Sequence, residues 1–136
     1  MQVLIYTYLF CNIYMIGVSL ITQFITYPSF RSIDINIFSN FHKTYTNKML
    51  LIVGPIMTIE FLIAAILLFL NVDFYFLIQF ILVSLIWILT FFLIVPVHNQ
   101  LEKKYDKLLN SKLIKLNGYR TLVWIVKFVF ICFKVI

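Results

Sequence analysis

The sequence predicts an all-α protein, a bundle of four transmembrane helices with cytoplasmic helical extensions. Of its 136 residues, 63% are hydrophobic and only 12% are charged, and the mean hydropathy is +1.04. Globular domains are roughly half apolar and a quarter charged, so lipid is the expected solvent for much of this chain. Four apolar stretches of about bilayer length predict spans within one integral membrane domain, residues 1–136, near 3–27, 48–70, 74–96 and 117–135.

The four apolar stretches differ in the charges they carry. Residues 1–30 and 74–101 contain no charged side chain, residues 50–70 contain only Glu60, and residues 122–136 contain Lys127 and Lys134. The first stretch lacks the basic start and the small-residue cleavage site of a signal peptide. We therefore expect it to remain in the mature protein.

Three prolines mark the expected irregularities of the helices. The residue before a proline avoids the α region, so Tyr27–Pro28 and Val95–Pro96 predict the ends of the first and third helices, although the pattern beyond Pro96 remains helical. Gly54–Pro55 predicts a kink in the second helix. The amphipathic segment from Ile35 to His42 leads into this helix, and Ser32 or Asp34 is its predicted N-cap. Whether the lead-in and the second span form one helix or two stays open. Asn110–Ser111 predicts a break and the N-cap of the fourth helix.

The basic residues predict the topology. Nine of the eleven Lys and Arg side chains lie in or at the edge of the segments 28–47 and 97–116. The positive-inside rule places both segments in the cytoplasm and both termini on the non-cytoplasmic side, as for a bacterial inner-membrane protein. The net charge of +6 is largely this orientation signal. A nucleic-acid partner would need a basic groove on a soluble domain, and the sequence offers none.

Polar side chains within the spans recur at helical spacing. One face of the first helix carries Tyr8, Asn12, Ser19 and Gln23. A similar face of the fourth helix carries Asn117, Arg120, Trp124, Lys127, Ile131 and Lys134. Charged groups are costly in lipid, so both faces are predicted to point into the bundle.

A first polar layer is predicted near the bilayer midplane. Counted from the outer ends, four polar residues lie about nine or ten residues deep, roughly halfway across at 1.5 Å per residue; they are Asn12, Glu60, Ser84 and Lys127. Glu60 and Lys127 are the only opposite charges at that depth. Two interpretations stay open: a structural ion pair, or a carboxylate that handles protons.

A second polar layer is predicted at the cytoplasmic mouth, about 27 Å from Glu60 if the second helix is continuous. It comprises His42, Tyr45, His98, Asn99, Asn117, Arg120 and Trp124, with Met57 on the same face as His42 deeper in the helix. Two histidines and a carboxylate would form a metal triad, but no carboxylate is clearly at this level and no metal motif is present. His42 and His98 are therefore candidate metal ligands or bases, or a hydrogen-bonded pair that tethers loops. A metal ion or a haem remains open as cofactor, and Cys11 and Cys132 are expected to be free thiols.

Several motifs in a fixed order resemble a known group of proteins. They are F-x-x-F-H-x-x-Y (Phe38, Phe41, His42, Tyr45), P-x-M-x-x-E (Pro55, Met57, Glu60), V-P-x-H-x-x-L (Val95, Pro96, His98, Leu101) and N-x-x-R-T-x-x-W-x-x-K (Asn117, Arg120, Thr121, Trp124, Lys127). Over about residues 20–130 the chain resembles a group of small uncharacterised bacterial four-helix integral membrane proteins and, more distantly, the anthrone-oxygenase-like family. An aromatic residue usually stands there in place of Gly118, and an arginine in place of Lys127. The resemblance implies a four-helix bundle that oxidises a lipophilic aromatic substrate.

Three functions are considered from these patterns. The first is an oxidoreductase or oxygenase-like protein acting on a lipophilic substrate in a polar pocket on the cytoplasmic side. There His42 or His98 is the base or ligand, Arg120 stabilises negative charge, and Glu60 is a further candidate catalytic group. The alternative is a non-catalytic subunit or assembly factor that binds other membrane subunits. A transporter is disfavoured, because the sequence has no inverted repeat.

Overall fold

The computed structural model describes residues 1–136 and contains helices and short connections, with no strand. Four helices are long and apolar enough to cross a membrane, judged by length and composition: α1 (Gln2–Ser32), α2 (Ile35–Leu70), α3 (Phe74–Lys103) and α4 (Lys107–Val135). The predicted all-α architecture of four long apolar helices is thereby confirmed.

Helices α1 and α3 each contain a π-helical segment. In α1 the α-helix Gln2–Ile21 is followed by the π-helix Thr22–Thr26 and by short helical turns to Ser32. In α3 the π-helix Leu89–Ile94 separates the α-helices Phe74–Ile88 and Val95–Lys103. Each π-helix lies just before a proline.

The prediction that these helices end at Tyr27–Pro28 and Val95–Pro96 is wrong. In a regular α-helix, a proline lacks the N–H that would bond to the carbonyl four residues back, and its ring presses against that carbonyl. The wider π turn before Pro28 and before Pro96 relieves this conflict, so both helices continue.

Helix α2 is continuous from Ile35 to Leu70, with Pro55 inside it. Its N-cap is Asp34, whose carboxylate accepts a hydrogen bond of 2.8 Å from the backbone N–H of Asn36. The lead-in and the second span therefore form one helix. At 1.5 Å per residue His42 and Glu60 are about 27 Å apart along its axis, so they belong to two levels of the bundle.

The connection between α3 and α4 lies four residues earlier than predicted. The chain is extended at Lys104, and Asp106 caps α4 by accepting bonds from the backbone N–H groups of Leu108 (2.7 Å) and Leu109 (3.2 Å). Asn110 lies inside the helix and is buried. The prediction of a break at Asn110–Ser111 is therefore wrong, because the helix already begins after Asp106, whose carboxylate accepts its first free N–H groups.

Each helix packs on its neighbours in the sequence, and α1 also packs on α4, so the four helices close into a ring with α2 diagonally opposite α4. Met1 meets the turn between α2 and α3 through a 3.4 Å contact from Asn71 Nδ2 to its Sδ. At the opposite end Phe38 packs against Tyr105, with ring centroids 4.9 Å apart. Both termini thus lie at the same end of the bundle as that turn.

Polar side chains are common inside the bundle, and apolar side chains cover much of its exterior. Eleven of the 31 buried residues are polar or charged, whereas large apolar side chains such as Phe10, Leu51 and Phe92 are exposed. The polar faces predicted for α1 and α4 do point inward, because Tyr8, Asn12, Ser19, Asn117, Arg120, Trp124, Lys127 and Ile131 are all buried. Lys134 is the exception on the α4 face, because it is exposed and its Nζ lies 3.4 Å from Asp73 Oδ2.

Asp73, in the turn before α3, provides a pH-dependent contribution to stability. Its pKa is held below the ordinary value, first by the backbone N–H of Phe76 and then by the N–H of Tyr75 and by Lys134. A lowered pKa in the folded state stabilises the fold above the unfolded-state pKa of about 4 and loses this contribution as the pH falls further. We expect Asp73→Asn to lower the unfolding midpoint at neutral pH and to match the wild type in strong acid. Denaturation of both proteins in detergent across this pH range is the measurement, and a constant difference at every pH would contradict it.

Candidate functional site

Three side chains from three helices form a hydrogen-bonded chain at the polar mouth of the bundle. Tyr27 Oη of α1 lies 3.0 Å from His98 Nε2 of α3, and His98 Nδ1 lies 3.0 Å from His42 Nε2 of α2. Phe30 and Phe38 pack on His42, with ring centroids 5.5 and 5.4 Å away. We call these three residues the Tyr27–His98–His42 relay. Both predicted histidines belong to it, whereas Tyr27 was predicted only as the end of a helix.

The relay has two hydrogen-bond arrangements, since a neutral imidazole donates from one nitrogen and accepts at the other. In the first, Tyr27 donates to His98 and His98 donates to His42. In the second, both bonds are reversed. A proton delivered to the Tyr27 oxygen in the first arrangement is passed on by two short transfers and appears on His42 as an imidazolium.

A cleft of about 490 Å³ lies between α2 and α3. Helix α2 packs closely on both α-helical parts of α3 but makes few close contacts with the π-helix Leu89–Ile94, and the cleft opens at this level. Its rim carries the exposed side chains Leu50 and Phe91, and its inner wall includes Met15 and Met57. A volume of roughly 300–1,000 Å³ with apolar walls is typical of small-molecule sites.

The polar floor of the cleft contains Tyr27 and His98 of the relay together with Arg120 of α4. Arg120 donates to Asn117 Oδ1 at 2.7 Å and to Thr90 Oγ1 at 3.3 Å, and its guanidinium lies 5.3 Å from the centre of the Trp124 ring. Tyr45 also lines the cleft, and its hydroxyl has no hydrogen-bond partner in the protein. The other predicted member, Asn99, is exposed at the mouth.

Asn117 holds Arg120 in position through contacts to α1. Its Nδ2 donates to Gln23 Oε1 at 2.8 Å and to the backbone carbonyl of Ser19 at 3.3 Å. A Cβ at Gly118 would lie 3.3 Å from Gln23 Nε2, so the glycine makes room for the Gln23 amide.

The predicted central ion pair is present. Lys127 Nζ lies 2.5 Å from Glu60 Oε1, and Trp124 Nε1 donates to Glu60 Oε2 at 3.1 Å, so the pair joins the diagonally opposite helices α2 and α4. Lys127 Nζ also lies 4.9 Å from the centre of the Tyr8 ring. Each of the two charges is therefore buried with a partner, as a charge inside an apolar bundle requires.

Two other residues predicted for the central layer do not join this network. Ser84 donates to the backbone carbonyl of Phe80 in its own helix, as serine does when no partner on another helix is in reach. Asn12 is fully buried, and neither its amide nitrogen nor its amide oxygen has a hydrogen-bond partner in the protein.

Trp124 connects the two polar layers. Its ring contacts Arg120 on the floor of the cleft, and its N–H binds Glu60 on the other side. With Met15, Met57 and Ile86 it forms an apolar cluster between the cleft and the ion pair. Glu60, a predicted catalytic candidate, does not line the cleft, and Trp124 lies between it and Arg120.

His42 and His98 face each other directly. Their facing nitrogens are 3.0 Å apart, which is the separation of an ordinary hydrogen bond, so the structure shows the two rings bonded to each other. No group of three or more His, Cys, Asp or Glu residues is placed to hold a metal ion. Cys11 and Cys132 are free thiols, as predicted.

The fold and the site define a class: a small four-helix protein with an apolar exterior, a buried ion pair and a polar-floored cleft between two helices. No protein-family model, no curated protein and no solved structure matches this chain. The relation to the anthrone-oxygenase-like family therefore stays a prediction, carried by the motifs alone.

Proposed function

We propose that this chain is an integral membrane protein that binds a lipophilic small molecule in the cleft and removes a proton from it through the Tyr27–His98–His42 relay. The relay is the observation that carries this proposal, because a chain of proton donors and acceptors begins at the polar floor of an otherwise apolar cleft. Membrane insertion is supported by the exposed apolar side chains and by the four long apolar helices. By the positive-inside rule the cleft lies toward the cytoplasmic side, and both termini are on the other side.

In the proposed reaction the proton moves from the substrate toward His42. The Tyr27 oxygen accepts the substrate proton while its own proton moves to His98 Nε2, and the proton on His98 Nδ1 moves to His42. The negative charge left on the substrate faces the guanidinium of Arg120, which lines the same floor. Positioned acids and bases of this kind typically contribute about 10²–10⁴-fold to a rate.

Oxidation is the further step that the resemblance implies. A lipophilic C–H acid R₂CH₂ that loses a proton here reacts with dioxygen to R₂C=O and water. Both oxygen atoms and all electrons are accounted for in this balance, with dioxygen as the oxidant. The proposed activity is thus oxygenase-like, with the protein supplying deprotonation, orientation and charge stabilisation.

A second function is favoured by one specific observation. Both ring nitrogens of His98 are occupied by Tyr27 and His42, and these two bonds join three helices. This is the arrangement expected of a non-catalytic subunit or assembly factor of a larger membrane complex.

Oxygen consumption separates the two functions. Anthrone, a lipophilic aromatic C–H acid, is added to vesicles that contain the purified protein, and dioxygen uptake is recorded together with the appearance of the ketone product. We expect uptake and product in equal amounts, at a rate well above that of protein-free vesicles. Equal rates with and without protein would favour the non-catalytic function.

A further inference from the structure

Arg120 is a buried cation without an anionic partner. It is 8% exposed, its Nε has no hydrogen-bond partner, and its two other nitrogens donate only to the neutral oxygens of Asn117 and Thr90. The protein has two salt bridges, and Arg120 belongs to neither. A buried charge without a counter-ion is costly, so a built-in partner would be expected if the cleft were meant to stay empty.

The buried side chains together carry a net positive charge. Glu60, Lys127 and Arg120 are the buried side chains with a formal charge, and together they carry one excess positive charge. Glu60 is already bound to Lys127 and Trp124. A single negative charge next to Arg120 would neutralise the interior.

Other unpaired donors lie around the same cleft. The indole N–H of Trp87 and the hydroxyl of Tyr45 are buried without a partner in the protein, and both residues line the cleft with Arg120. The cleft is therefore lined by donors from α2, α3 and α4. Donors suit ligand groups with acceptor oxygens, such as a carboxylate or an acidic enol.

The position of the cleft also determines the polarity of the remaining part of the ligand. Its rim residues Leu50 of α2 and Phe91 of α3 lie on the apolar exterior of the bundle. A ligand whose charged end is bound at Arg120 would leave the cleft between these helices, directly into lipid. Its body must therefore be apolar.

We propose that the cleft binds a lipophilic monoanion, whose charged oxygens pair with Arg120 and whose apolar body extends between α2 and α3 into the bilayer. This inference rests on the proposed function, in which the cleft takes a lipophilic molecule, and it adds that the form bound at Arg120 is an anion, as the deprotonated substrate is. The negative charge belongs to a free acid or to the headgroup of an anionic phospholipid, which present the same chemistry to Arg120.

Photo-crosslinking tests the charge of the ligand directly. The full-length protein is placed in phosphatidylcholine vesicles at mildly alkaline pH, with either a diazirine-bearing stearic acid or its methyl ester. Adducts are mapped by peptide mass spectrometry at the cleft rim and, for background, at lipid-facing Phe10 and Phe133. We expect the acid to label the rim at least roughly tenfold more than the ester, as a charge-assisted pair would give. This comparison uses the wild-type chain alone, so it does not depend on the folding of any variant.

Three variants then assign the charge effect to a residue. Arg120→Gln is expected to reduce rim labelling by the acid to the level of the ester, and Arg120→Lys is expected to retain most of it. Lys115→Gln, which removes an exposed charge from the same helix, is expected to change the rim labelling by neither the acid nor the ester. Loss of acid labelling when phosphatidylglycerol is added to the vesicles would assign the monoanion to a phospholipid, and unchanged labelling would assign it to a free acid.

Two outcomes would overturn the inference. The first leaves the proposed function intact, and the second contradicts it as well. If the acid and the ester label the rim equally above background, the ligand is lipophilic but its charge is irrelevant, and only the inference fails. If neither probe labels the rim above the lipid-facing background, the cleft does not take lipophilic molecules and the proposed function fails with it.

Discussion

Glu60→Ala is expected to destabilise the bundle strongly, by about 3–5 kcal/mol, because it leaves Lys127 buried without its counter-ion. It also leaves the indole N–H of Trp124 without its acceptor. Reversible unfolding of the protein in mixed micelles, followed by helical circular dichroism, measures the change. Glu60→Gln, which keeps the shape of the side chain, tests the same contribution of charge with less disturbance of packing.

Paired substitutions provide the control for the central ion pair. Replacing Glu60 and Lys127 together by methionine removes both charges, so much of the stability lost in Glu60→Ala should return. Lys134→Ala breaks the exposed pair with Asp73 and should shift the unfolding midpoint only slightly. If Glu60→Gln is as stable and as active as the wild type, the ion pair does not hold α2 and α4 together.

Tyr27→Phe and His98→Ala are expected to lower the proposed activity by about 10²–10⁴-fold, the range typical of general acid–base catalysis. Tyr27→Phe removes only the oxygen at the start of the relay and keeps the aromatic ring, whose centroid lies 5.6 Å from that of Phe30. The measurement is the rate of dioxygen uptake with anthrone in vesicles, together with the unfolding midpoint of each variant.

Gln100→Ala is the matched control for the relay, since this exposed residue lies two positions from His98 on the same helix and outside the cleft. It should retain full activity. A purely structural relay would give the opposite pattern, with lowered midpoints in Tyr27→Phe and His98→Ala and no specific loss of rate in the protein that remains folded.

The helices and their inward faces could be predicted from the sequence because apolar length and the spacing of polar residues act locally. The Glu60–Lys127 pair was predictable for a related reason: each charge inside an apolar stretch needs a partner, and only one opposite charge was available at that depth. The polar mouth was predicted as a group of residues, without its connections.

The connections depend on tertiary geometry that no local pattern specifies. Tyr27 was assigned to a helix end because of Pro28, but the π-helix Thr22–Thr26 carries α1 onward and directs the tyrosine to His98. The cleft arises where the second π-helix, Leu89–Ile94, makes few close contacts with α2. A π-helix before a proline has no sequence signal as clear as the proline itself.

Proton removal from the substrate is the central claim, and it can be measured without any oxidation. The most direct measurement is the exchange of the acidic C–H of anthrone with deuterium in D₂O, under anaerobic conditions, in vesicles with and without the protein. We predict exchange accelerated by roughly 100-fold or more over protein-free vesicles, abolished in His98→Ala and Tyr27→Phe but retained in Gln100→Ala. Exchange at the protein-free rate, or exchange unaffected by these two substitutions, would contradict the relay as a proton acceptor.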